Sequence, residues 1–162
     1  GASTCLWPEV RDVHIRFLEG FSTQSSESDD RFIGLVHAMD VTAIESLCRR
    51  LRISRKTTDA ARLVSRHYGT WLTRAQLAAE PAIDFLYDID AFRQADRFDR
   101  INHILQLIAT TNGFAAAPDI AARWSADHTQ ASQVTAATVG KGVSGPALGT
   151  AIRKQRVQAL LD

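Results

Sequence analysis

Apolar residues recur along this chain at helical spacing, and no stretch alternates apolar with polar, so the pattern predicts helices and no strands. Residues 10–21 place Val10, Val13, Phe17 and Leu18 on one stripe. Residues 22–30 then lack any large apolar side chain and read as a mobile loop. Residues 32–39 are nearly all apolar, as in a buried helix. Residues 41–51 follow with Ile44, Leu47, Cys48 and Leu51 on the inward face, and the two segments are expected to pack as a hairpin. Ser54 or Thr57 caps the next helix, which is expected to run to about Tyr68 and stop at Gly69, a residue suited to a left-handed terminus. Thr73 opens a short helix. Residues 81–88 form another with Pro81 in its first turn, and residues 95–112 a longer one stopped by Asn112-Gly113. Pro118 opens a helix to about residue 131 with Ile120 and Trp124 on one face. Beyond it the composition shifts toward Val, Thr, Ala and Gly, until a last helix begins at Gly145-Pro146. The expected fold is all-α: a multi-helix orthogonal array, residues 1–131, with a small C-terminal helical tail, residues 132–162.

Composition narrows the class. The chain has 162 residues, of which 45% are hydrophobic and 23% charged, enough to bury a core without disulfides or structural metals. Cys5 and Cys48 stand far apart in no ligand or redox motif, which favours a reduced, cytoplasmic setting. The longest apolar runs are too short for a bilayer, so no membrane partner is expected. Gly1-Ala2-Ser3, without an initiator methionine, reads as the cloning remnant of an excised piece whose parent continues upstream.

Net charge is only +1, but it is unevenly distributed. Residues 46–66 hold Arg49, Arg50, Arg52, Arg55, Lys56, Arg62 and Arg66 against Asp59 alone, whereas residues 80–102 carry more carboxylates than cations. Clustered cations over two helices and their joint suit a phosphate backbone, because binding releases condensed counterions; a solvated helix face gives the same pattern. Lys141, Arg153, Lys154 and Arg156 offer a second, weaker cationic group beside the glycines at 140, 142, 145 and 149. Trp71 and Tyr68, just beyond the basic stretch, are candidates for base stacking, with core packing as the alternative.

His14, His37 and His67 lie in the helical first half, where two or three could approach a metal. A helical metallohydrolase wants an Asp directly beside one of them, but Ala38 follows His37, and Asp40 stands three residues on. No serine or cysteine nucleophile with a partner histidine is legible, and Cys48 reads as core.

Three stretches together resemble the C-terminal half of bacterial tRNA nucleotidyltransferases, the CCA-adding enzymes. They are Leu47-Cys48-Arg49-Arg50-Leu51-Arg52-Ile53 with Ala61-Arg62-Leu63-Val64; Asp88-Ile89-Asp90-Ala91-Phe92-Arg93 with Arg97; and Gly142-Val143-Ser144-Gly145-Pro146-Ala147-Leu148-Gly149 with Ile152 and Arg156. The resemblance implies a body and tail that grip tRNA, with the catalytic carboxylates, Mg and the CTP and ATP pocket confined to an N-terminal head absent here. No catalytic residue or cofactor is then expected in this fragment, and its RNA contacts would be the two cationic groups named above. Relatives also carry an HD-type phosphohydrolase in this region. His14, His37 and Asp40 would be its vestige, and the replacement of the paired Asp by Ala38 implies a degenerate HD-like core without metal. Two other readings stand beside this one: an HD-type metal phosphohydrolase that uses those same three residues, and a purely structural or dimerisation module. CCA addition, partial addition and poly(A) synthesis are not distinguished by these residues.

Overall fold

The computed structural model describes residues 12–139 and 145–161, with side chains from Phe17 onward. The described residues are helical with no strand. In chain order the helices are α1 (Asp12–Ser22), α2 (Ser28–Val36), α3 (Val41–Leu51), α4 (Arg55–Leu72), α5 (Ala79–Asp88), α6 (Ala95–Thr111), α7 (Ala117–Ser132), α8 (Ala136–Val139) and α9 (Pro146–Ala159), with a 3-10 turn at Arg74–Gln76.

Helix α4 occupies the centre and packs on α2, α3, α6 and α7. Its inward face, Ala60, Ala61, Val64 and Trp71, joins Ile33 and Val36 of α2, Ile44 and Leu47 of α3, and Ile101, Ile104, Leu105 and Ile108 of α6 in one core. Trp71 and Trp124 are fully buried, which settles their role as packing. Trp124 Nε1 donates to the Trp71 carbonyl (3.1 Å), and Trp71 Nε1 to Asn102 Oδ1 (2.7 Å). The stacking expectation for Trp71 therefore fails, because indole burial removes far more apolar surface from water than an exposed platform would. Tyr68 is half-buried, and its hydroxyl accepts from Asn112 Nδ2 at 3.0 Å.

Local boundaries follow capping chemistry. Asp40 caps α3 by accepting from the Ala43 amide at 3.0 Å, and Arg52 ends it in the left-handed conformation (φ 54°), with the Ile53 amide reaching back to the Cys48 carbonyl. Ser54, rather than Thr57, caps α4 through the Thr57 amide at 3.1 Å. Two expectations are corrected here. Helix α4 does not stop at Gly69 but runs on to Leu72, because Trp71 anchors the last turn in the core. The segment expected to be a loop to residue 30 already enters α2 at Ser28, because Asp29 and Asp30 have buried or half-buried partners across the core.

The tail helix α9 packs on α5, α7 and α8. None of its residues is fully buried; Val157 and Leu160 reach the core edge. Arg153 and Arg156 add polar contacts to this docking.

Candidate nucleic-acid interface

On a helix, residues 55, 59, 62 and 66 fall within about 60° of one another, since each residue advances by about 100°. Arg55, Asp59, Arg62 and Arg66 therefore form one ridge along α4, with Lys56 turned to one flank. The structure divides the basic stretch along this ridge. On one side, Arg49 and Arg52 at the end of α3 face Arg62 across a shallow groove of about 560 Å³. On the other, Arg55 and Lys56 face the start of α6 across a deeper cleft of about 690 Å³.

Most of these cations are exposed, and their ion pairs are loose. Arg55 lies 3.8 Å from Asp59, with its side chain 96% exposed, so the pair contributes little. Arg62 is the exception: it reaches Glu45 on α3 at 2.9 Å as well as Asp59 at 3.6 Å, and so ties α3 to α4. Arg49, Arg50, Arg52, Lys56 and Arg66 are exposed.

In the second cationic group, Arg153 and Arg156 are engaged within the fold. Arg153 is held by Asp84 (2.6 Å) and Glu80 (3.1 Å) of α5, and these hydrogen bonds raise its pKa further. Arg156 stacks on the Phe92 ring at 3.6 Å and donates to the Tyr87 hydroxyl (2.9 Å) and the Val134 carbonyl. Both are committed to docking the tail. Lys154 is exposed, and Lys141 lies outside the described residues.

Of the histidine candidates, His37 and His67 are drawn apart. His37 Nδ1 sits 2.6 Å from the Gly34 carbonyl, and its ring packs between Phe17 and Tyr68. Asp40, the helix cap, is engaged with α3 instead. His67 turns to the other side of α4, edge-on to Phe85, with Asp88 3.8 Å away. Burial lowers its pKa, partly offset by Asp88. The side chain of His14 lies outside the described residues. Among the described residues, no three His, Cys, Asp or Glu side chains converge as metal ligands, and no helix is long and apolar enough to cross a membrane.

Residues that the charge count concealed also belong to this face. Arg93, Arg97 and Arg100 sit in the stretch read as acidic, yet all three line the deeper cleft opposite Arg55 and Lys56. No sequence signal marked them: the chain turns between α5 and α6 at the left-handed Asp90 (φ 59°), and Arg93 comes round to this side. Asp90 secures the turn by accepting from Gln94 Nε2 at 2.6 Å.

Fold and surface together define an all-helical module with a divided cationic face. Comparison with known proteins places it more closely. The chain is 28% identical over 136 residues to a CCA-adding enzyme of Pseudomonas putida (strain W619), a match covering 80% of this chain and 35% of that protein. It is 31% identical over 137 residues to the multifunctional CCA protein of Thioalkalivibrio sulfidiphilus, covering 82% of this chain and 31% of that one. A further match, 24% identical, to the multifunctional CCA protein of Pseudomonas putida (strain KT2440) covers 99% of this chain and 44% of the relative. The chain is thus related to the CCA-adding enzymes, and spans 31–44% of the length of these relatives. No family model matches the chain, and no solved structure matches it significantly.

Proposed function

We propose that this chain is a tRNA-gripping C-terminal part of a tRNA nucleotidyltransferase, holding the RNA while an N-terminal head adds nucleotides to the 3′ end. The observation that carries the reading is the similarity to CCA-adding enzymes over 74% or more of the chain. The divided cationic face supports it. A-form RNA is recognised mainly by shape and by contacts to phosphates and 2′-hydroxyls, which suits exposed arginines on a rigid helical frame. Arg49, Arg50, Arg52, Arg55, Lys56 and Arg66 supply the charge, and Arg62 stiffens the ridge between them. Magnesium and the nucleotides would be bound by the head, and this chain contributes binding energy without performing the transfer.

The test compares binding of tRNA lacking CCA with binding of a single-stranded RNA of equal length at two salt concentrations. Tighter binding to tRNA is expected, with log K falling against log salt at a slope of about −3.5 to −4.5 if about five phosphates are neutralised. Equal affinity for the two RNAs, or a flat salt dependence, would overturn the reading.

A further inference from the structure

The deeper cleft has a built back wall. Arg100 of α6 donates through Nε and Nη2 to a single oxygen of the buried Asp30 (3.1 and 2.8 Å). Neighbouring Asp29 accepts from the Thr57 hydroxyl at 2.7 Å, and Thr57 in turn meets Ser54 Oγ at 2.8 Å. The start of α2 therefore clamps the starts of α4 and α6 at a fixed separation, so little ordering remains to be done when something binds between them.

The charges inside the cleft are unequally matched. Arg100 is neutralised by Asp30. Asp59 is shared between Arg55 and Arg62, and Arg93 lies 3.8 Å from Asp90 with its side chain 85% exposed. Lys56 and Arg97 have no carboxylate partner among the described residues, and they face the cleft from opposite walls. Both walls are first turns of long helices; Ser54 caps α4, whereas Gln94, the residue before α6, makes no side-chain cap. The uncapped start of α6 thus adds to the two unpaired cations, and the cleft's other carboxylate, the exposed Asp96 in the same first turn, only partly offsets them. A volume of about 690 Å³ accommodates a phosphoryl group with its sugar.

We propose that the cleft between the starts of α4 and α6 binds a phosphoryl group carried by a nucleotide, with Lys56 and Arg97 as its direct ligands. That the phosphoryl group comes from RNA rests on the tRNA-binding reading above; a free nucleotide presents the same chemistry.

The experiment titrates the whole 162-residue chain with AMP, with inorganic phosphate and with tRNA lacking CCA, following backbone amide shifts for the small ligands and anisotropy for the tRNA. The Lys56→Ala/Arg97→Ala double variant is compared with Arg49→Ala/Arg52→Ala, which removes the same charge across the ridge; thermal melts confirm that both fold. AMP is expected to shift the amides of residues 55–56 and 95–97 in the wild type, and not in the cleft variant. The cleft variant should also bind tRNA about tenfold more weakly, with a salt slope smaller by about one to two. If wild type and cleft variant bind tRNA equally, or neither binds it, while AMP shifts depend on Lys56 and Arg97, the phosphoryl site stands and its source is a free nucleotide. The RNA reading is then tested separately by the wild-type salt series. The proposal is overturned if neither small ligand perturbs these amides and the cleft variant binds tRNA like the wild type. It is equally overturned if AMP shifts the same amides in the cleft variant as in the wild type, since that marks diffuse charge and no site.

Discussion

Single residues set tight constraints at two places. Gly34 lies against the fully buried Phe21, and an added Cβ would meet three of its ring atoms at 3.1 to 3.2 Å. Phe21 has no room to retreat, so Gly34→Ala is expected to destabilise the fold by about 1–3 kcal/mol, read as a lowered urea midpoint with unchanged slope. His67 is the second. Its Nε2 is buried without a hydrogen-bond partner, and burial holds its pKa below the usual value. The unfolded chain takes up the proton first as pH falls through about 6.5, so the stability His67 contributes is complete above that value and declines below it. Urea midpoints measured from pH 7.5 to 5 should fall toward acid, and His67→Gln should flatten that part of the curve. An unchanged curve in the variant would assign the acid loss to other groups.

Among the described helices longer than one turn, α9 is the one with no fully buried residue. Its register on α5 comes from Arg153 between Asp84 and Glu80, and from Arg156 over Phe92. A guanidinium over an aromatic face is worth about 1–2 kcal/mol when partly desolvated, whereas the exposed Arg153 pairs are worth less. Arg156→Ala is therefore expected to raise amide hydrogen exchange across α9 while the exchange of α4 and α6 stays as in the wild type. Equal loosening of α4 would mean that the tail and core unfold together. Helix α3 illustrates the opposite case, in which nearly everything is local. Its cap, its apolar stripe and its boundaries at residues 41 and 51 follow from the sequence, because an aspartate before an amphipathic run fixes the start regardless of what the helix packs against.

Across the whole molecule, a buried polar seam joins the central helices. Asn102 of α6 accepts from Trp71 of α4 and donates to the Ala121 carbonyl (3.0 Å) and Ser125 Oγ (3.1 Å) of α7. Arg74 and Asp127 form a second buried link, with Arg74 also lying 5.3 Å from the centre of the Trp124 ring. Asn102→Ala leaves the Trp71 N–H buried and unpaired and opens a small void. It should cost about 2–4 kcal/mol, seen as a drop of several degrees in melting temperature. A loss below about 0.5 kcal/mol would show that water replaces the amide. The all-α class, every α-helix longer than one turn among the described residues, the core stripes and the basic stretch at residues 49–66 were legible along the chain, because periodicity and capping act within a few residues. Three things were not. The carboxylates Asp29 and Asp30 looked like loop residues, because their partners Thr57 and Arg100 are distant in sequence. Arg153 and Arg156 looked like free cations, because nothing nearby reveals the acids and rings of α5 and its following turn. Arg93 and Arg97 were hidden within an acidic average. The sequence by itself determined the all-helical class, the amphipathic stripes and where charge is concentrated; only the tertiary structure decided which charges cancel and which face each other across a cleft. Helix formation answers to neighbours within about four residues, whereas Coulomb interactions depend on distance in space, which chain order does not record.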